Sequence, residues 1–139
     1  MQSTGDIIET LRVPPTEAGV IAVYLFGSAA AGRMHRESDI DVGVLLDRRL
    51  HPTGRARFDA RLRLIGEIGR RLGGHPVDVV VLSDAPPGLA RRIVTTQPAL
   101  LCVDADAEHA FRRDVQLRAA DLEPFLRRTR RRKLEALAR

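Results

Sequence analysis

The stretch Leu25-Phe26-Gly27-Ser28 is separated by ten residues from Asp39-Ile40-Asp41, and this pattern decides both fold and chemistry. The residues before the turn, Val20–Phe26, are mostly β-branched and aromatic and predict a buried strand that ends at Gly27. A second strand is predicted at Asp39–Leu46, because alternate residues form one apolar face: Ile40, Val42, Val44 and Leu46. Asp39 and Asp41 therefore project together from the other face.

Gly27 and Ser28 are residue types suited to holding a phosphate group. Glycine has no Cβ, so the backbone at position 27 can turn sharply and approach a bulky anion closely. Ser28 offers a hydroxyl and a backbone N–H, and a helix starting near Ala29 would add free N–H groups. The end of the first strand is therefore predicted to bind phosphate.

Three aspartates predict a magnesium site beside this turn. Two carboxylates as close as Asp39 and Asp41 repel each other unless a divalent cation lies between them, and Mg²⁺ prefers oxygen ligands and substrate phosphates. Asp78 lies inside a predicted strand, Val77–Leu82, where an unpaired buried charge would be costly. Together they could hold two Mg²⁺ ions, one on a triphosphate and one lowering the pKa of an attacking hydroxyl. The expected reaction transfers a nucleoside monophosphate and releases pyrophosphate.

The remaining segments predict helices that alternate with strands, and hence an α/β (α+β) fold with a small mixed β-sheet and flanking helices. One domain, 1–139, is expected, with a core at about 18–104 and a C-terminal helical region at about 105–139. The predicted segments are a short helix that follows Asp6 and is ended by Pro14-Pro15, a helix from Thr53 to Gly73-Gly74, a helix from Pro86-Pro87 through Val94, and a strand Ala99–Val103. Later helices are also predicted, with Asp106 capping one and Asp121 capping or kinking another.

Side-chain positions are predicted from the same patterns. In the helix from Thr53, the apolar residues at helical spacing are expected to face the core, and two charge pairs are expected outside. Tyr24 and Cys102 are expected to be buried strand residues; a single cysteine forms neither an internal disulfide nor a cysteine zinc site. In the helix from Thr53, the residues predicted to face the core are Phe58, Leu62, Ile65 and Leu72, and the predicted outer charge pairs are Asp59/Arg63 and Glu67/Arg71.

Composition and charge limit the possible classes of protein. A chain of 139 residues that is 44% hydrophobic and 29% charged predicts a packed globule. No apolar run could span a bilayer and no secretory signal pattern is present, so a cytoplasmic location is expected. Six of the 23 basic residues lie within Arg127–Lys133, and the rest of the chain is close to neutral. That run is interpreted as a solvated helix face or a surface for an acidic partner. Direct nucleic-acid binding is not expected, since no aromatic residues separate the arginines.

The combined motifs resemble the minimal nucleotidyltransferases of the DNA polymerase β superfamily, along nearly the whole chain. Two further segments, Leu82–Pro87 and Asp121–Phe125, are similar to those of the MNT antitoxins that pair with HEPN-domain ribonuclease toxins. This resemblance implies a Mg²⁺-dependent enzyme of a type VII toxin–antitoxin system. It would transfer AMP from ATP to a tyrosine of its toxin, in a hetero-oligomer, and so neutralise the toxin.

The resemblance also implies roles for individual residues. The triphosphate would be held by Gly27 and Ser28, with Arg33 and Ser38, and the metal ions by Asp39 and Asp41, with Asp78 as third ligand or base. Ala31 departs from the family, which commonly has an arginine there; Arg33 or Arg36 would have to replace it. Two alternatives stay open: a non-catalytic antitoxin that acts by binding alone, and a small-molecule nucleotidyltransferase.

Overall fold

Four strands and five helices make up the part of the chain that the computed structural model describes, residues 3–32 and 39–138, with the side chains of 122–127 and 138 excluded. The strands are β1 (Val20–Phe26), β2 (Ile40–Leu46), β3 (Val77–Val81) and β4 (Leu101–Cys102). The helices are α1 (Thr4–Leu11), α2 (Gly27–Ala30), α3 (Gly54–Arg71), α4 (Pro87–Thr96) and α5 (Ala105–Ala138), with a 3-10 turn at Leu82–Asp84.

The strands form one mixed sheet in the order β3-β2-β1-β4. Strand β2 lies antiparallel to β1 and parallel to β3, and β4 adds an antiparallel edge to β1. The predicted mixed sheet with flanking helices is therefore confirmed. Strand β1 has the predicted bounds, and β2 starts one residue later than predicted, at Ile40.

Helices cover both faces of the sheet. The predicted apolar face of β2 is confirmed, because its four alternate residues are at most 2% exposed and pack with α1 and α3. The second core, on the other face, joins the sheet to α4 and α5. Tyr24 lies in this second core as predicted, 1% exposed, and its hydroxyl donates a hydrogen bond to Glu108 of α5 at 2.5 Å.

The buried side of α3 differs from the prediction in part, although Leu72 is buried as expected, at 1% exposure. Phe58 and Leu62 are each 50% exposed, whereas Arg57 and Glu67 are buried. Apolar spacing alone misplaces this face, because a charged residue can be buried when it is paired. Arg57 donates a hydrogen bond to Asp84 at 3.0 Å, which stabilises its charge at that position.

The charge pairs on α3 also differ from the prediction in part. Glu67 and Arg71 form the expected ion pair at 2.6 Å, although Glu67 is buried. Arg63 is not bonded to Asp59, because a residue from outside the helix offers it a two-point contact that i,i+4 spacing does not reveal. The observed pairs are Arg63 with Glu17 and Arg55 with Asp59.

A single helix, α5, replaces the two that were predicted after residue 105. It runs for 34 residues through Asp121 and Pro124 without a break. A proline removes one backbone donor, but its φ is compatible with a helix, and alanine, leucine and glutamate nearby favour one. The N-terminal cap is Asp104 rather than Asp106, since Ala107 N–H donates to the Asp104 carboxylate at 3.1 Å. No helix among the described residues is long and apolar enough to cross a membrane.

The fourth strand is shorter than predicted and leaves Cys102 exposed. The strand itself is Leu101–Cys102, with Cys102 opposite Ala22 and Leu101 opposite Val23. The flanking Leu100 and Val103 N–H groups also donate to carbonyls of β1, at 2.8 and 2.9 Å. The prediction that Cys102 is buried is therefore wrong. The physical reason is its position on β4, the edge strand, which has no further described strand beside it.

Candidate active site

Three residues predicted to act in catalysis or binding meet at one end of the sheet. Asp41 on β2 lies opposite Phe26 of β1, the residue immediately before Gly27. Asp41 also lies opposite Asp78 of β3 in the parallel pairing. Since β2 is the shared neighbour of both strands, it brings together segments that are far apart in the sequence.

Gly27 provides the space that the Asp41 carboxylate occupies. Its φ is +74°, a left-handed conformation that side chains disfavour. A Cβ added to Gly27 would overlap Asp41 Oδ2 and lie 3.2 Å from Asp41 Cγ. Any larger residue would therefore move the carboxylate, so glycine is required here by close approach as well as by backbone conformation.

The surroundings of Asp41 concentrate negative charge. Burial raises the pKa of the Asp41 carboxyl, and the charges of Asp78 and Asp39 raise the pKa further. A divalent cation would relieve this repulsion, and a donor set made only of carboxylate oxygens fits Mg²⁺. Among residues 3–32 and 39–138, no three carboxylate, imidazole or thiol groups are arranged to ligate one ion. The carboxylate donors fit Mg²⁺ in chemical type, and phosphate or water oxygens would have to complete its coordination.

Asp78 is neither buried nor unpaired, contrary to the sequence-based expectation. Its side chain is 48% exposed and forms an ion pair through Oδ1 with Arg61 of α3 at 3.1 Å. Arg61 also donates from Nε to the Val79 carbonyl at 2.6 Å, which ties α3 to the edge strand. No described residue bonds Asp78 Oδ2, and this oxygen is available for a ligand or a proton.

Sequence reasoning missed Arg61 because no local motif marks it. Its role depends on α3 packing beside β3, which brings residue 61 next to residue 78. An arginine on an amphipathic helix is most simply interpreted as part of the solvated face. Only the tertiary contact separates it from the other arginines of α3.

A cleft of about 610 Å³ opens beside Gly27 and Ser28. One wall is the end of β1 with α2, and the other is one side of α4. The two walls are joined by a hydrogen bond from Gln97 Nε2 to the Ala30 carbonyl at 3.2 Å. The lining residues are Leu25–Ser28, Ala30 and Ala31 on the first wall, and Leu89, Arg92, Ile93, Thr96 and Gln97 on the second.

Two of the predicted nucleotide-binding residues, Arg33 and Ser38, lie outside the described residues, as does Arg36. Their roles therefore stay predictions. Ala31, the position where the resembled family commonly has an arginine, lines the cleft.

Comparison with known proteins connects this site to one family of enzymes. The family model described as "Polymerase beta, Nucleotidyltransferase" matches residues 7–106. A spectinomycin 9-adenylyltransferase of Staphylococcus aureus is 35% identical over 79 residues, which are 55% of this chain and 30% of that protein. The chain thus spans less than a third of the length of this curated relative.

Solved structures extend the likeness beyond the family match. A toxin–antitoxin crystal structure with AMP-PNP has 25% identity and a TM-score of 0.58, covering 99% of this chain and 100% of that chain. A tri-AMPylated Shewanella oneidensis HEPN toxin in complex with MNT antitoxin matches with 23% identity and a TM-score of 0.55. In that match, 98% of this chain and 96% of that chain are covered. The second likeness concerns the fold alone.

Proposed function

From the premise that this chain belongs to the polymerase β nucleotidyltransferase family, we propose that it is the antitoxin of a type VII HEPN/MNT pair. It transfers AMP from ATP to a tyrosine of a HEPN-domain ribonuclease toxin, with which it forms a hetero-oligomer in the cytoplasm, and so neutralises the toxin. The observation that carries this proposal is the meeting of Gly27, Asp41 and Asp78 beside an open cleft. The full-length likeness to a toxin–antitoxin structure with AMP-PNP supports it.

Two Mg²⁺ ions would be held by Asp39 and Asp41 together with phosphate and water oxygens, and would supply charge neutralisation of the triphosphate and a lower pKa for the acceptor hydroxyl. Asp78, the third ligand or base expected from the sequence, acts as the base. Gly27 leaves room for the carboxylate of Asp41 beside the phosphates. Ser28 lines the cleft, and its hydroxyl would donate to a phosphate oxygen. Positioning and charge neutralisation of this kind are how phosphoryl-transfer enzymes gain most of their rate.

The chemical step is a displacement at the α-phosphorus of ATP. The phenolic oxygen of the toxin's tyrosine forms a bond to that phosphorus, and the bond to the bridging oxygen of pyrophosphate breaks. The proton of the phenol passes to Asp78 Oδ2, while Oδ1 stays bonded to Arg61. Arg61 thus holds the base in one orientation throughout the reaction.

The test uses ATP labelled at the α-phosphate, Mg²⁺ and the HEPN-domain protein of the source cell. Label on that protein and loss of its ribonuclease activity are expected with the native chain. Neither is expected with Asp39→Ala. The matched control is Asp106→Ala, an exposed aspartate in the first turn of α5, which should behave as the native chain does. Label that persists with Asp39→Ala would contradict the proposal.

Two outcomes of the same assay identify the rival functions. Loss of ribonuclease activity without label, in both native and Asp39→Ala mixtures, would indicate an antitoxin that acts by binding alone. The similarity to a spectinomycin adenylyltransferase favours a second candidate, AMP transfer to a small molecule. The assay is therefore repeated with spectinomycin or a related aminocyclitol added. Label on that compound, with none on any protein, would establish this candidate.

A further inference from the structure

Arg92 is the only charged residue, among those that the structure describes, that lines the cleft beside Gly27 and Ser28. It belongs to α4 and lines the same cleft as Ser28 and Ala31. We propose that Arg92 binds the phosphates of the nucleotide across this cleft. This inference rests on the proposed function, since it concerns how that function's substrate is held.

The guanidinium of Arg92 is not paired with any other residue in the described part of the chain. Of the arginines there, Arg57, Arg61 and Arg112 bond carboxylates at 3.1 Å or less, which fixes where their charges act. Arg92 forms no ion pair or side-chain hydrogen bond with a described residue, and it is exposed. A guanidinium in this state can turn toward a phosphate without breaking an existing bond, and its planar fork suits phosphate oxygens.

The rest of the cleft suits a nucleotide better than a simple anion. Apolar side chains of Phe26, Leu89 and Ile93 form much of its lining, which provides contact for a base. Its volume of about 610 Å³ falls within the usual range for sites that bind small molecules. A site with one apolar part and one cation next to a serine hydroxyl matches a molecule with a base at one end and phosphates at the other.

The wall that carries Arg92 is held in place independently of the nucleotide. Ile93 and Val94, its neighbours on α4, are buried against the sheet at 3% and 1% exposure. Gln97 ties the end of α4 to α2 through the Ala30 carbonyl. The position of the Arg92 backbone relative to Ser28 is therefore set by the core packing of α4.

The experiment measures binding of ATP, ADP, AMP and adenosine to the full-length chain in Mg²⁺ by isothermal calorimetry. Arg92→Gln is expected to raise the Kd for ATP by about 10- to 100-fold, the effect of one lost charge-assisted hydrogen bond, and to leave adenosine unchanged. Arg92→Lys should recover part of the affinity. The control is Arg91→Gln, because Arg91 is an exposed neighbour on α4 that does not line the cleft.

The outcomes separate this inference from the proposed function. Equal ATP affinity for the native chain and Arg92→Gln would overturn the role of Arg92 and leave AMP transfer unaffected. A loss for Arg92→Gln that is the same for ATP and adenosine would also overturn it, because the contact would not be to phosphate. Selective loss of ATP affinity in a chain that labels no acceptor would support the role of Arg92 while contradicting AMP transfer. A native chain that binds no ATP would overturn both.

Discussion

The carboxylate of Asp41 lies in the space that a side chain at Gly27 would occupy. The turn at Gly27 and strand β2 are therefore closely fitted to each other, since a side chain at position 27 would displace the Asp41 carboxylate. Strand pairing holds them together, because Phe26 is the register partner of Asp41.

Gly27→Ala is expected to reduce AMP transfer by about 100-fold, because a Cβ there displaces Asp41 and small misplacements of reacting groups are costly. The free energy of unfolding should fall by about 1–3 kcal/mol, from the positive φ and the overlap. The control is Gly74→Ala, which shares a positive φ of 84° but has no atom within 4 Å of the added Cβ. Steady-state transfer rates and urea unfolding give both quantities. Equal activity of the two variants would show that Gly27 does not position Asp41.

Asp41→Asn is expected to abolish transfer without destabilising the metal-free fold. The pKa of Asp41 is raised, first by burial and then by Asp78 and Asp39, so its contribution to stability is greatest when it is protonated. That contribution is present below the unfolded pKa and is lost as the pH rises through the folded value. At pH 7 in EDTA, the variant should melt at or above the native temperature. A clear fall in melting temperature would contradict this electrostatic account.

Tyr24→Phe is expected to lower the free energy of unfolding by about 1–3 kcal/mol, since Glu108 loses a buried hydrogen bond. Burial alone would raise the pKa of Glu108, but the hydrogen bonds from Tyr24 and Arg112 outweigh burial and lower it. This stability is present above the unfolded pKa and is lost as the pH falls through the folded one. The variant should therefore show a weaker loss of stability in acid. AMP transfer at pH 7 should persist, because Tyr24 is buried in the core and its hydroxyl does not accept AMP.

Arg61→Gln is expected to slow AMP transfer by about tenfold or more while leaving ATP affinity unchanged, because it frees Asp78 from its fixed orientation. The KM for ATP should stay constant as kcat falls. Arg55→Gln serves as a control on the same helix, since Arg55 pairs with Asp59 in an exposed position. A rise in KM with unchanged kcat would place Arg61 in substrate binding instead.

Truncation after Phe125 is expected to weaken association with the partner while keeping the fold and ATP binding. Among the described side chains of α5, the last buried one is Ala119, and Leu134 and Leu137 are 67% and 83% exposed. The segment that would be removed also carries all six basic residues of the 127–133 run. Pull-down with the HEPN-domain protein and calorimetry with ATP test the two properties separately. An equal loss of both would show that the end of α5 supports the core.

Much of the fold followed from local patterns in the sequence. The alternation in β2 identified which side chains are buried, because successive residues of any strand face opposite ways. The same alternation placed Asp39 and Asp41 on the other face. Patterns were less reliable on α3, where Arg57 is buried through its pairing with Asp84, a residue distant in the sequence.

The sequence by itself thus determined the strands β1 and β2, the turn at Gly27 and the grouping of Asp39 with Asp41, since all of these depend on nearby residues. Only the tertiary structure decided that Arg61 holds Asp78, that α4 brings Arg92 to the cleft and that Cys102 is exposed. These contacts join segments far apart in the chain. They depend on which strands pair and which helix faces pack, and neither is encoded in the spacing of adjacent residues.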